Sequence, residues 1–311
     1  MKRQNVKKSG RRFFGRPLSI HFPPIGKLDD SIFLLISSVS LISLGLTFFF
    51  ILREAIPFFR SVSPVEFFSR TWLPTADPPK FGALPMMLGS AVVTAGALIV
   101  AVPLGFAVAA FIAEVAPGII KEIIKAAVEM LAGIPSVVYG FFGLAVIAPF
   151  LRTTFSLPTG RTALTGSIVL AIMALPTIAS LAEDAITAVP TSYREASMAM
   201  GATRWQTIWR VTVPAASSGL IGAAILGMGR AIGETMAVLM VAGNSLQLTA
   251  SLLKPVRTLT AGIALEMAET PFGSLHYHAL FALGALLLLV TLAMNWSAEW
   301  FRGRLERRHR R

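Results

Sequence analysis

Six stretches of this chain are apolar over the length needed to cross a lipid bilayer, and no other feature restricts its fold as strongly. About 20 helical residues span the hydrocarbon core, so a run of 18 or more with few charges reads as a transmembrane helix. The runs are Ser31–Leu52, a second within Met86–Ala113, a third within Ala126–Leu151, Leu164–Leu181, Ser217–Val241 and Ala279–Trp296. Lipid offers backbone groups no partner, so each run must satisfy its own hydrogen bonds as a helix. The expected class is an all-α integral membrane protein with six transmembrane helices. Composition agrees: 14% of residues are charged, against about 25% in an average soluble domain.

Charge placement gives an orientation. Of a formal net charge of +12, Lys2, Arg3, Lys7, Lys8, Arg11, Arg12, Arg16 and Lys27 fall near the start, and Arg302, Arg304, Arg307, Arg308, Arg310 and Arg311 near the end. Basic residues flank spans on the cytoplasmic side, and an even number of spans puts both ends there. Read this way, the charge reflects membrane topology, and nucleic acid is not a partner. The chain divides into a basic cytoplasmic tail (1–30), a first span (31–52), an outer segment (53–85), a transmembrane domain (86–297) with a cytoplasmic loop at 183–214, and a basic cytoplasmic tail (298–311). The first run is long enough to act as an uncleaved signal anchor, and SGRRFFG at 9–15 lies too far upstream for a twin-arginine signal. The absence of cysteine removes disulfide and thiolate chemistry.

Arg230 and Glu234 lie inside the fifth run. A charge at the bilayer centre costs about 2.5–3.5 kcal/mol on insertion scales, so it faces a bundle interior or a water-filled cavity. The two are spaced i,i+4, where helical side chains meet. Two readings stay open: a neutralised structural pair, or a guanidinium fork for an oxyanion with Glu234 restraining it. Gly229 and Gly233 form a G-x-x-x-G step, extended by Gly219, Gly222 and Gly227, that admits a close neighbouring helix. GMGRAIG has the wrong spacing and context for a dinucleotide fingerprint.

Two further spans contain a proline followed by a hydroxyl: Pro135-Ser136 and Pro176-Thr177. A proline inside a helix removes a hydrogen bond and kinks or breaks it. A broken helix at membrane depth presents free N–H groups to an anion, with Ser136 or Thr177 adding a donor. The alternative is a packing kink whose hydroxyl satisfies a carbonyl one turn back. Glu129 sits near the start of the third run and is either interfacial or cavity-lining. Arg152 and Arg161 flank the next outer connection as interface anchors or anion attractors. His276 and His278 read as a solvated loop rather than a metal site.

The 183–214 loop is the best organised. Pro190 opens a short helix and Gly201 stops it, with Tyr193, Ala196, Ser197 and Met200 on one face. Thr203 caps a second helix in which Trp205, Ile208 and Trp209 share a face. Such a pair suits docking to a soluble partner or lying on lipid headgroups. Glu195-Ala196-Ser197, three residues, Gly201, nine residues, Val211, one residue, Val213-Pro214 closely resembles the EAA loop of ATP-binding-cassette (ABC) importer permeases. Ser197 replaces the second alanine, and Val211 and Val213 replace isoleucine and leucine.

The resemblance extends from about Phe81 to the sixth run. FGALPMMLGSAVVTAGALIVAVPLGFAVA, LAGIPSVVYGFFGL, IMALPTIASLAEDAITAVP and GRAIGETMAV are similar to the permease of the phosphate importer, more to its PstC-type subunit than its PstA-type partner. This resemblance implies the type I importer permease (MetI-like) fold in the bacterial cytoplasmic membrane, and transport of inorganic phosphate. It implies a second homologous permease subunit (PstA type), two ATP-binding subunits (PstB type) that hold ATP and Mg²⁺, and an extracytoplasmic phosphate-binding protein (PstS type). It further implies coupling to the ATPase through Tyr193, Glu195, Ala196, Met200 and Gly201, and a substrate pathway at Arg230, Glu234, Ser136 and Thr177. Permeases for molybdate, sulfate or phosphonate share the EAA loop and remain the alternative, ahead of an ATPase-independent secondary transporter. No G-x-x-x-x-G-K-[ST], G-x-S-x-G or H-E-x-x-H sequence occurs, so the chain carries no cofactor or catalytic motif of those kinds.

Overall fold

The structure, a computed structural model, describes residues 27–309, so most of the basic N-terminal tail and the last two arginines lie outside the described residues. Two compact units divide at residue 49. The first contributes the opening part of α1 (Lys27–Ser61). There the Ser38 and Thr47 hydroxyls donate to the carbonyls of Leu34 and Ser43, one turn back. This is how a helix in lipid absorbs its own hydroxyls.

The second unit holds the remaining elements. The end of α1 leads to α2 (Pro64–Phe67) and an antiparallel pair, β1 (Trp72–Leu73) and β2 (Lys80–Phe81). Next come α3 (Leu84–Ala110), extended by a π-helical turn to Val115, and α4 (Gly118–Gly133). Then follow α5 (Ser136–Phe142), a π-helical turn (Gly143–Ile147) and α6 (Ala148–Thr154). After α7 (Ala163–Thr187) come α8 (Thr191–Ala199), α9 (Arg204–Thr207), a third π-helical turn (Ile208–Thr212) and α10 (Val213–Ala215). The chain closes with α11 (Ser217–Gly233), α12 (Met236–Val241), α13 (Leu259–Met267) and α14 (Leu275–His309). Among the described residues five helical stretches are long and apolar enough to cross a membrane, or six if the pair 204–215 and 217–233, bent by 71°, counts as one span.

Helix α7 is the hub, packing most extensively against α3 and then α11. Small residues permit this. A Cβ on Gly227 would overlap Ile178 Cγ1, and one on Gly219 would overlap Ala185 Cβ. The smooth surface expected of α11 is therefore real at these two glycines. Gly229 and Gly233 have no neighbouring atom within 4 Å of a Cβ position, so their G-x-x-x-G step packs against nothing among the described residues. A separate aromatic cluster of Phe58, Phe67, Trp72 and Phe81 joins α1, α2 and the β-pair edge-to-face.

The spans differ from the sequence reading in their breaks. The third run is split, with α4 ending at Gly133 and the spanning stretch starting at Ser136. The fourth continues as one helix through Pro176. The fifth is interrupted instead at Glu234-Thr235. Proline in α7 sits in a packed stretch, with Ala174, Pro176 and Ile178 all buried. At Gly233 no such packing exists, and glycine costs a helix about 1 kcal/mol relative to alanine. The first span continues to Ser61 and the last to His309, beyond the expected ends at 52 and 296. Charged residues do not end a helix once it has left the apolar layer.

Candidate functional site

Both interruptions have the same backbone geometry. Ile134, after α4, has φ −69° and ψ 129°, and Glu234, after α11, has the same values. Each extended residue stops a helix and redirects the chain into a short one. The two short helices, α5 and α12, then pack together. Gly140 makes this possible, because a Cβ there would come 2.8 Å from Met240 Sδ and 3.0 Å from Ala237 Cα. The interruptions are thus paired in space, 100 residues apart in sequence.

Arg230 lies in the last turn of α11, just before its break. Its Nη1 donates to Thr177 Oγ1 on α7 at 3.0 Å. The i,i+4 contact expected with Glu234 is not formed, since the helix ends between the two residues. Glu234 Oε1 instead accepts the Ala237 N–H at 3.1 Å, capping α12, while the Glu234 carbonyl accepts from Thr260 Oγ1 at 2.8 Å. Among the described residues no carboxylate comes within 4 Å of Arg230. Arg230 is exposed on this chain rather than enclosed by its own helices. The guanidinium thus keeps donors that no carboxylate among the described residues takes up, on a helix end where Gly229 and Gly233 also face open space.

Arg230 and Thr177 are brought together, while Glu234 works one turn further on as a cap. Ser136 begins α5 half-buried, and no contact joins it to Arg230. Sequence reasoning missed Tyr139, whose hydroxyl donates to the Leu131 carbonyl at 2.7 Å, spanning the first interruption. A lone tyrosine three residues after a proline-serine break was the available signal. Thr260 carried none, since it meets Glu234 only through the fold.

At the far end of α7, the short helices of the 183–214 segment form as expected. Gly201 takes φ 86°, its N–H bonds the Met198 carbonyl and the Ala202 N–H bonds the Ser197 carbonyl, closing a Schellman cap. Thr203 and Gln206 form a reciprocal capping box. Tyr193, Glu195, Ala196 and Met200 are exposed, Met200 at 90%. Ser197 departs from that face, its hydroxyl 3.0 Å from Thr207 Oγ1. Ile208 is buried, leaving Trp205 and Trp209 exposed and stacked edge-to-face at 5.6 Å.

What anchors α8 was not legible in sequence. Arg194 Nε donates to Glu114 Oε1 at 2.7 Å, and its other nitrogens donate to the Val189 and Ile186 carbonyls. Nearby, Glu183 is buried in α7 and is met by Lys121 at 3.4 Å and Lys125 at 2.9 Å from α4. The hydrogen bond that the Lys125 ammonium donates to Glu183 holds its pKa above the ordinary lysine range. The histidines also depart from a solvated loop: His276 Nε2 lies 2.7 Å from Glu266 Oε2, and His278 Nδ1 2.9 Å from the Glu54 carbonyl oxygen. Glu266 additionally accepts from Trp72 and Arg257, forming a polar hub beneath the aromatic cluster.

The profile of the family described as "binding-protein-dependent transport system inner membrane component" matches residues 101–311. The chain belongs to that family. Its interrupted helices, glycine-stopped α8 and exposed segment are accordingly those of a multi-pass ABC importer permease. The permease is 48% identical over 231 residues to the probable ABC transporter permease protein YqgH of Bacillus subtilis, covering 74% of this chain and 75% of that protein. It is 38% identical to the phosphate transport system permease protein PstC of Mesorhizobium japonicum, covering 77% and 78%. Among solved structures, its fold resembles a bacterial alginate ABC transporter, with a TM-score of 0.63 at 15% identity over 90% of this chain and 96% of that one. The MetNI methionine ABC transporter gives a TM-score of 0.55 at 19% identity, over 72% and 94%. The permease fold is thus that of type I importers, whose membership implies ATPase and binding-protein partners.

Proposed function

We propose that this permease translocates inorganic phosphate, with Arg230 as the anion-handling residue of its pathway. The observation that carries the proposal is the free guanidinium of Arg230, held by a neutral hydroxyl rather than a carboxylate and exposed beside two paired helix interruptions. An uncompensated charge at membrane depth requires water, a partner subunit or an anion beside it. Guanidinium is a fork of fixed donors suited to phosphate oxygens. Relatives named as phosphate transport permeases, at 35–39% identity, support the choice of anion.

In this reading the open surface around Gly229 and Gly233 is closed by a second, homologous permease subunit of PstA type. Two PstB-type ATPase subunits, which bind ATP and Mg²⁺, receive the exposed face of α8 through Tyr193, Glu195, Ala196 and Met200. A PstS-type protein delivers phosphate from outside. Their motion passes through Arg194 to Glu114 at the end of α3 and through α7 to Thr177. This chain itself hydrolyses nothing. Both termini lie in the cytoplasm of a bacterial inner membrane. Reconstituted with these partners in proteoliposomes, the complex should hydrolyse ATP faster when its binding protein is loaded with phosphate, and should accumulate labelled phosphate. Stimulation by sulfate or molybdate but not phosphate would refute the assignment.

A further inference from the structure

The end of α7 remote from α8 carries a second cationic feature that the pathway at Arg230 does not use. An open concavity of about 590 Å³ lies between α6 and the 155–162 connection, lined by Arg152, Ser156, Thr159 and Arg161. Ser136 to Arg152 is 16 residues of almost continuous helix, so the concavity lies about 24 Å from the start of α5 at 1.5 Å per residue. It is a separate place on the molecule.

Three observations point to an anion. The first is charge without compensation. No acidic residue occurs between Glu129 and Glu183, or between Glu234 and Glu266. Those two stretches meet here, where the Ala163 and Leu164 N–H groups donate to the carbonyls of Lys254 and Leu252. Among the described residues Arg152, Arg161 and Lys254 have no carboxylate within 4 Å. The second is Ser156. Helix α6 ends in a Schellman cap, with Leu157 N–H on the Arg152 carbonyl at 2.9 Å and Ser156 N–H on the Thr153 carbonyl at 3.4 Å. Ser156 takes the left-handed position at φ 52°, where glycine is favoured. A serine there holds its hydroxyl in a strained backbone, and among the described residues no protein group bonds that hydroxyl. The third is rigidity. A Cβ on Gly160 would overlap the Ala148 carbonyl, and the Gly160 carbonyl accepts from buried Thr165 Oγ1. The loop is pressed onto α6, and Thr159 Oγ1 accepts from the Arg161 N–H.

We infer that Arg152, Arg161, Ser156 and Thr159 form an accepting site for a small tetrahedral oxyanion at the mouth of the pathway. Guanidinium forks and hydroxyl donors are the groups that bind phosphate oxygens. A charged mouth raises the local concentration of an incoming anion. The inference rests on the phosphate reading of the transport function for the identity of the anion.

The test is arginine modification by phenylglyoxal on the assembled complex in phosphatidylcholine nanodiscs, without binding protein, read peptide by peptide by mass spectrometry. Inorganic phosphate should slow labelling of Arg152 and Arg161 by about threefold or more relative to sodium chloride of equal ionic strength, which removes general screening. Ser156→Ala and Thr159→Val should weaken that protection. No protection, or equal protection by chloride, overturns the inference. So does protection that appears only when headgroup phosphate is introduced by changing neutral glycolipid discs to phospholipid discs, because the occupant is then lipid. Arg152→Gln with Arg161→Gln should raise the half-saturating phosphate concentration for uptake severalfold, and an unchanged value also overturns it. A parent complex that protects both arginines yet does not transport phosphate refutes the transport reading and leaves the site standing.

Discussion

Arg230 shows how one residue's role depends on where its helix stops. Had α11 continued, Glu234 would lie on the same face and neutralise it. The break moves the carboxylate to Ala237 N–H and leaves the guanidinium with Thr177. Hydrogen bonds to charged groups are worth about 1.5–3 kcal/mol, so Arg230→Gln should lower phosphate uptake about tenfold or more while the complex still assembles. Loss of assembly, seen as failure of the subunits to co-purify, would instead mark a structural role. Thr177→Val, which removes only the tether, should have a smaller effect on uptake. Gly201 is the other decisive residue. At φ 86° an alanine is strained, and Gly201→Ala should destabilise the cap of α8 by about 1 kcal/mol, read as faster amide exchange across Thr191–Ala199.

Helix pairs give the sharpest contrast between neighbouring positions. A methyl group on Gly227 collides with Ile178, whereas one on Gly229 meets nothing. Overpacking costs about 1–3 kcal/mol, so Gly227→Ala should lower the melting midpoint of the purified complex and Ile178→Val should restore part of it. Gly229→Ala should leave the midpoint unchanged unless a partner subunit packs there, which the assembled complex and the isolated chain would distinguish. The short helix α8 has a charged tie to the end of α3, the pair of Arg194, 17% exposed, and Glu114, 9% exposed. Glu114→Gln should loosen α8 and leave ATP hydrolysis running with reduced uptake, measured as a fall in phosphate moved per ATP. Equal loss of both activities would show that the pair supports assembly rather than coupling.

On the scale of the molecule, α7 separates two chemically distinct ends. One end has α8 and the Lys121–Glu183–Lys125 cluster, and the other has the acid-free loops around Arg152 and Arg161. The positive-inside reading assigns the first to the cytoplasm. Because the chain contains no cysteine, single cysteines can report this without background. In intact spheroplasts a membrane-impermeant maleimide should label Ser156→Cys and spare Ser192→Cys, with labelling of the latter only after permeabilisation. The reverse pattern would invert the topology and remove the proposed mouth from the outer face.

Much of this was legible in sequence because its causes are local. Apolar run length sets a spanning helix, a glycine at Gly201 stops one, and Thr203 with Gln206 starts the next. The family resemblance that the EAA spacing carried also held, with the family profile matching residues 101–311. The break at Pro135-Ser136 was also readable, since proline acts on its own backbone. What needed the tertiary structure was every outcome set by neighbours. Pro176 does not break α7, because burial of Ala174, Pro176 and Ile178 outweighs one missing hydrogen bond. Gly233-Glu234 does break α11, where Gly233 is open and the Glu234 carbonyl and carboxylate find partners in Thr260 and Ala237 instead. The partners of Arg194, Glu266 and Arg230 lie far away along the chain or across a helix end. Periodicity encodes which face of a helix is apolar, but which distant side chain meets that face is decided only when the helices pack.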